Sequence, residues 1–213
     1  MQGSRLIEIL EAYAPVELAE SWDNPGLLVG DKRKEVKKIT IALDATDEVV
    51  KEAVQNGSDF LITHHPLIFK GIKNVVEEDF IGRRIRSLIR HDISLYAMHT
   101  NCDIAAMADA AGTMMELTNQ EVLAEERDGV GIGKVGLLKE AVTLAELADK
   151  VKKVFEVSYV QVAGDLEKTV NRIAVSPGSG HDFTKDAIRK GAQVLITGDM
   201  GHHAVIDAVA QGL

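Results

Sequence analysis

Apolar positions along the chain follow two periods, one near 3.6 residues and one near 2, and the two alternate. Leu6, Ile9, Leu10, Tyr13 and Val16 share one helical face within residues 5–20, and Pro15 is placed to end that helix early. Ser21 to Gly26 reads as a turn-rich loop. The pattern then predicts a strand at Ile39–Leu43, a helix at Asp47–Asn56 closed by Gly57, and a short apolar strand at Phe60–Thr63. A basic amphipathic helix over 79–91, a strand over Ile93–Met98 and a helix over Ile104–Leu117 follow.

Residues 118–134 break the rhythm. Glu121, Glu125, Glu126, Arg127 and Asp128 precede Gly129, Gly131 and Gly133, and this stretch is the natural boundary between two halves, 1–125 and 126–213. Beyond it, Thr143 and Glu146 form a capping-box pattern at the start of a helix reaching Phe155. Strands are expected at Ser158–Ala163, Arg172–Val175 and Val194–Thr197, with helices at Asp182–Lys190 and Ala204–Ala210. The alternation specifies an α/β protein with mostly parallel sheets flanked by helices.

The two halves echo one another. Ile41-Ala42-Leu43, a helix, Gly57 and Leu61-Ile62-Thr63 run in the order of Ile173-Ala174-Val175, a helix, Gly191 and Leu195-Ile196-Thr197. In each copy the glycine stands six residues before the threonine. Polar residues follow both second strands, His64 and His65 in one copy, Asp199, His202 and His203 in the other. Strand C-terminal ends are where open α/β sheets bind ligands.

Composition narrows the function classes. The 213 residues are 46% hydrophobic and 27% charged, the balance of a globular protein. A net charge of −9 argues against a dedicated nucleic-acid surface, which needs clustered Lys and Arg, though not against one nucleotide in a local pocket. Aromatic residues make up only 4%, which argues against base stacking on an aromatic platform. The single cysteine, Cys102, forms no intrachain disulfide, no apolar run reaches membrane-spanning length, and the N-terminus lacks a secretory pattern, so a cytoplasmic location is expected.

The candidate chemistry collects after strands. Thr63-His64-His65-Pro66 places two imidazoles in succession; on an extended chain they point apart, so one ion takes both only through a bend, to which Pro66 contributes. His99-Thr100-Asn101-Cys102-Asp103 adds an imidazole and a carboxylate after the next strand. That ligand mix suits Zn, Mn, Fe, Ni or Co, and the alternative is polar residues that merely decorate strand ends. Cys102, beside Asp103, reads as a small filler rather than a nucleophile. Ser176-Pro177-Gly178-Ser179-Gly180 is either an anion cradle or a plain tight turn. Gly131, Gly133 and Gly136 precede a strand rather than a helix, so no dinucleotide fingerprint is assigned to them.

Ser21-Trp22-Asp23-Asn24-Pro25-Gly26-Leu27, Thr63-His64-His65-Pro66-Leu67, His99-Thr100-Asn101-x-Asp103, Gly178-Ser179-Gly180 and Thr197-Gly198-Asp199-x-x-His203-x-x-x-Asp207-Ala208 together resemble the NIF-three-like family of dinuclear-metal proteins, often labelled GTP cyclohydrolase 1 type 2. The resemblance runs in order from the first helix to the last. It implies two related α/β halves, a ring-shaped homohexamer or its dimer unit, and two divalent metal ions. It also implies metal ligation by His64, His65 and Asp103 together with a late His and Glu. The segment bearing that late pair has no counterpart before Leu213, so the expectation is a chain truncated at its C-terminus that binds metal weakly or holds one ion. The resulting expectation is a metal-dependent hydrolase of a nucleotide or related phosphorylated small molecule, with His99 or His203 as proton shuttle or as a support that orients the ligands. The alternatives are a non-catalytic metal carrier or regulatory oligomer, and a structural α/β scaffold whose histidines are satisfied by hydrogen bonds.

Overall fold

The computed structural model describes residues 1–127 and 129–213; Asp128, within the expected boundary segment, lies outside them. The chain divides into two compact units, Met1–Ala105 and Ala106–Leu213. The division therefore falls earlier than 125/126, inside a helical stretch. Residues 118–127 and 130–134 instead belong to two antiparallel strands within the second unit.

In the first unit, α1 (Gly3–Tyr13) stops just before Ala14 and Pro15, because the residue preceding a proline is driven out of helical backbone. The four-stranded sheet is ordered β1 (Gly26–Val29), β4 (Ser94–Ala97), β3 (Phe60–Thr63), β2 (Ile39–Ala42). β2, β3 and β4 run parallel, and β1, on a stretch where the apolar pattern specifies no element, adds antiparallel to β4. β3 and β4 are buried on both faces, as central parallel strands must be. Phe60, Ile62 and Tyr96 pack beneath Leu6 of α1. Leu61 and Leu95 pack on the other face against α2 (Asp47–Gln55) and α3 (Phe80–Arg90), through Val50, Ala53, Ile85 and Leu88. The arginine-striped face of α3 is tied down by acids: Arg83 and Arg84 pair with Asp47, and Arg86 with Glu77.

In the second unit the sheet is ordered β5 (Thr118–Arg127), β6 (Val130–Thr143), β7 (Thr169–Ser179), β8 (Val194–Asp199). Only β7 and β8 are parallel here; β5 pairs antiparallel with β6, and β6 antiparallel with β7. Across both sheets, three of the six neighbouring strand pairs are parallel. Gly131 is required by the pairing of β5 with β6: a Cβ there would collide with the Ala124 carbonyl. The capping box forms as read, Thr143 accepting from the Glu146 amide at 3.2 Å while Glu146 accepts from the Thr143 amide at 2.8 Å, and it opens α6 (Leu144–Val154).

One expected element is absent. Ser158–Ala163 forms no strand; the segment is largely exposed, and no neighbouring strand pairs its backbone. Its alternation of apolar and polar residues cannot supply that partner.

The internal echo is structural. β2–α2–β3 and β7–α7–β8, with α7 spanning Thr184–Arg189, are both parallel strand–helix–strand units. Gly57 and Gly191 take left-handed φ of 63° and 69° after their helices, a conformation glycine adopts without Cβ strain. Asp59 N–H donates to the Lys38 carbonyl at 2.9 Å, and Gln193 N–H repeats this to Arg172 at 2.8 Å. Strand register aligns Ile39, rather than Ile41, with Ile173, so the first-strand match slides by two residues.

Candidate metal centre

His64 and His65 leave β3 still beside β2, their amides donating to the Ala42 and Leu43 carbonyls at 3.3 and 3.0 Å. The Thr63 hydroxyl then donates to the His65 carbonyl at 2.9 Å, which bends the chain. The two rings, which a straight strand would send to opposite faces, lie with centroids 5.0 Å apart. Pro66 follows the bend.

The neighbouring strand supplies the rest. β4 ends at Ala97, and a helical segment begins with α4 (Thr100–Cys102), tightly followed by a π turn over Asp103–Met107 and α5 (Ala108–Met114). The expected helix over Ile104–Leu117 is thus longer at its start and shorter at its end. His99 stands just before this segment and Asp103 at the start of the π turn, a distortion often found where helices carry function.

Ligand-capable atoms of His64, His65 and His99 all lie within 4.8 Å of one another. His99 centroids are 5.2 Å from His64 and 5.6 Å from His65. Asp103 Oδ1 lies 3.5 Å from His64 Nε2. His64, His65, His99 and Asp103 therefore converge, and His99 sits among the expected ligands rather than beyond them. His203 lies in the second unit, exposed in the first turn of α8 (His202–Ala210), its ring 5.4 Å from that of His202.

The rings are held in one manner. His64 Nδ1 meets the Met98 carbonyl, His65 Nδ1 meets Asp44 Oδ1 and His99 Nδ1 meets Asp23 Oδ1, each at 2.8 Å. A carbonyl or carboxylate oxygen only accepts, so each Nδ1 carries the proton and each neutral ring keeps its lone pair on Nε2. Metal-binding histidines are oriented by this kind of outer contact. Three imidazoles and a carboxylate are a donor set that divalent transition ions fit.

Asp44 and Asp23 were not legible as partners. Asp44 follows β2 without a motif around it, and Asp23, although it lies in the Ser21–Leu27 stretch that carries the resemblance, has no neighbour in sequence that points to His99. Asp23 is the more embedded: besides His99 it accepts from the Thr100 hydroxyl at 2.5 Å and from the Thr100 and Asn24 amides at 3.0 and 2.7 Å. Burial alone would raise its pKa, but these donors outweigh burial and hold the carboxyl at about 2.

The neighbouring groups respond to burial and charge. Burial disfavours the His99 imidazolium, yet the hydrogen bond and charge of Asp23, with the charge of Asp103, raise its pKa overall. Burial lowers His64 against the pull of Asp103. Burial likewise pushes Asp103 up, against His64 and His99. Burial, then the charge of Asp103, raises the Cys102 thiol, which keeps it protonated and unreactive.

The segment Ser176–Gly180, expected as a cradle or a tight turn, is instead the end of β7 as far as Ser179, paired with β8 through a register shift between Ser176 and Ser179. Thr197 Oγ1 donates to the Gly178 carbonyl at 2.8 Å, and a Cβ on Gly180 would meet the same hydroxyl at 2.5 Å. Among the described residues, no helix is long and apolar enough to cross a membrane.

Comparison with known proteins agrees with the fold and the family resemblance. A "GTP cyclohydrolase 1 type 2 homolog" of Clostridium perfringens is 39% identical over all of this chain and 83% of its own length. The protein of that name from Clostridium acetobutylicum is 37% identical over 95% of this chain and 77% of its own length. The crystal structure of a Bacillus cereus protein related to NIF3 superposes with a TM-score of 0.95 at 27% identity, covering 100% of this chain and 86% of that one. The family model Duf34/NIF3 (NGG1p interacting factor 3) matches residues 1–213. The chain belongs to the Duf34/NIF3 family.

Proposed function

We propose that the chain is a divalent-metal-dependent hydrolase acting on a nucleotide or a related phosphorylated small molecule. The observation that carries this reading is the common anchoring of His64, His65 and His99 through Nδ1, with ligand-capable atoms of the three gathered beside the partly buried carboxyl of Asp103. A scaffold whose histidines only satisfied hydrogen bonds would have no reason to gather three rings, each already held at Nδ1, beside one carboxyl. The name shared by the two Clostridium relatives, GTP cyclohydrolase 1 type 2 homolog, favours a nucleotide-type substrate.

His64, His65 and Asp103 would hold the cations, two of them in the fullest form of the proposal. Such ions would supply Lewis acidity toward a phosphoryl or carbonyl oxygen. The chain's own groups divide the remaining work. The Met98 carbonyl and Asp44 keep His64 and His65 in their binding tautomer. Asp23 steadies a proton on His99, which places that ring to give a proton to a leaving group or to take one from water. Self-association into a ring belongs to the same proposal, with sedimentation as its test.

The reading is tested by loading the chain with Mn, Fe, Zn, Co or Ni and assaying nucleoside phosphates, dinucleotides and phosphodiesters. Turnover that needs metal and disappears in Asp103→Asn is the expected result. Full metal occupancy with no turnover on any of these would overturn hydrolysis and leave a metal carrier or regulatory protein.

A further inference from the structure

The chain has one tryptophan, and it stands at the candidate metal centre. Trp22 is 57% exposed and Phe69 is 43% exposed. Their rings meet at 5.8 Å and 61°. Both stand edge-on to His99, Trp22 at 6.2 Å and 74°, Phe69 at 6.3 Å and 81°. An aromatic composition of only 4% argues against a stacking platform on average. Two of the chain's rings nevertheless stand together beside His99.

This wall is built, not incidental. Trp22, Asp23 and Asn24 are consecutive, and each acts on the same rim. Asp23 clamps His99 and Thr100. Asn24 Nδ2 donates to the Ile68 carbonyl at 2.6 Å, which fixes the loop just ahead of Phe69. Hydrogen bonding thus holds two large apolar rings partly in water, an arrangement that folding alone does not reward.

We propose that Trp22 and Phe69 form a stacking subsite for a planar heteroaromatic ring, a nucleobase, whose attached phosphoryl or sugar portion reaches the His64–His65–Asp103 cluster. The proposal rests on the hydrolase reading and locates the base within it. Aromatic faces bind any base through stacking, so the subsite selects for a planar ring more than for one base over another.

Because Trp22 is the only indole, its fluorescence reports on the subsite alone. The full chain is titrated with guanosine 5′-monophosphate and, separately, with ribose 5-phosphate, exciting at the red edge of the indole band. Saturable quenching by the nucleotide and none by the sugar phosphate is expected. Equal responses, or no saturable response to the nucleotide, would overturn the subsite. Calorimetry on Trp22→Ala and Phe69→Ala should show nucleotide affinity reduced roughly tenfold or more, with Trp22→Phe recovering most of it. Circular dichroism checks folding, and metal content is measured on the same samples. Nucleotide binding lost in Trp22→Ala with metal retained supports the subsite. Unchanged nucleotide affinity in both alanine variants rejects it while the metal reading stands. Failure of the unmodified chain to retain metal, with Trp22 still quenched, rejects the metal reading instead.

Discussion

Asp23 and His99 are 76 positions apart in sequence, and Asp23 Oδ1 lies 2.8 Å from His99 Nδ1. The contact joins a turn-rich loop near the N-terminus to the end of β4. It also couples two opposite displacements, a carboxyl held low and an imidazole held high.

That coupling gives stability a defined pH window. Asp23 falls from 3.8 to about 2 in the folded chain, so its contribution is present above about pH 4 and is lost as pH falls toward 2. His99 is raised above 6.5, so its contribution is present below that value and is lost as pH rises through the folded pKa. Asp23→Asn should therefore destabilise the metal-free protein most between about pH 4 and pH 6.5, with the difference shrinking on either side. Urea midpoints of both proteins across a pH series provide the check; a difference independent of pH would count against the coupling.

Asp44 makes one contact with a ring, to His65 Nδ1 at 2.8 Å, and is half exposed. Asp44→Ala should leave the fold intact and weaken metal binding by about 10- to 100-fold, the usual effect of losing an orienting partner. Competition with a chromophoric chelator measures this, and unchanged affinity would show that the contact does not position His65.

Asp103 is partly buried, and burial disfavours its charge there. Asp103→Asn should therefore leave the metal-free melting temperature equal or higher while removing the rise that added metal produces. A large loss of stability in the metal-free variant would mean that the carboxylate serves the fold rather than a cation.

The central strands should tolerate least. Leu61 is fully buried on β3, and Leu61→Ala is expected to cost about 2–5 kcal/mol. Ile41, 76% exposed on the edge strand β2, should accept serine within about 0.5 kcal/mol. Denaturant unfolding of both variants tests the contrast.

What the sequence made legible was local. Thr143 and Glu146 announce their capping box because both partners lie within one turn. Gly57 and Gly191 mark equivalent helix ends because left-handed backbone selects glycine. His64, His65 and Asp103 could be brought together by placing each after a neighbouring parallel strand. What stayed hidden depends on distant partners. β1 is a strand because it pairs with β4, and Ser158–Ala163 is not one because its backbone pairs with none of the strands. The anchoring acids Asp23 and Asp44 stand in sequence surroundings that say nothing of histidine. Trp22 and Phe69 meet only after Asn24 has fastened one loop to another.

Convergence of imidazoles and carboxyl on a cation is tested most directly by anomalous diffraction from crystals of the full chain grown with Zn or Mn. The account predicts a peak bonded to Nε2 of His64 or His65 and to Asp103, at about 2.0–2.2 Å for Zn. Peaks found only elsewhere, with these side chains keeping their metal-free contacts, would contradict it.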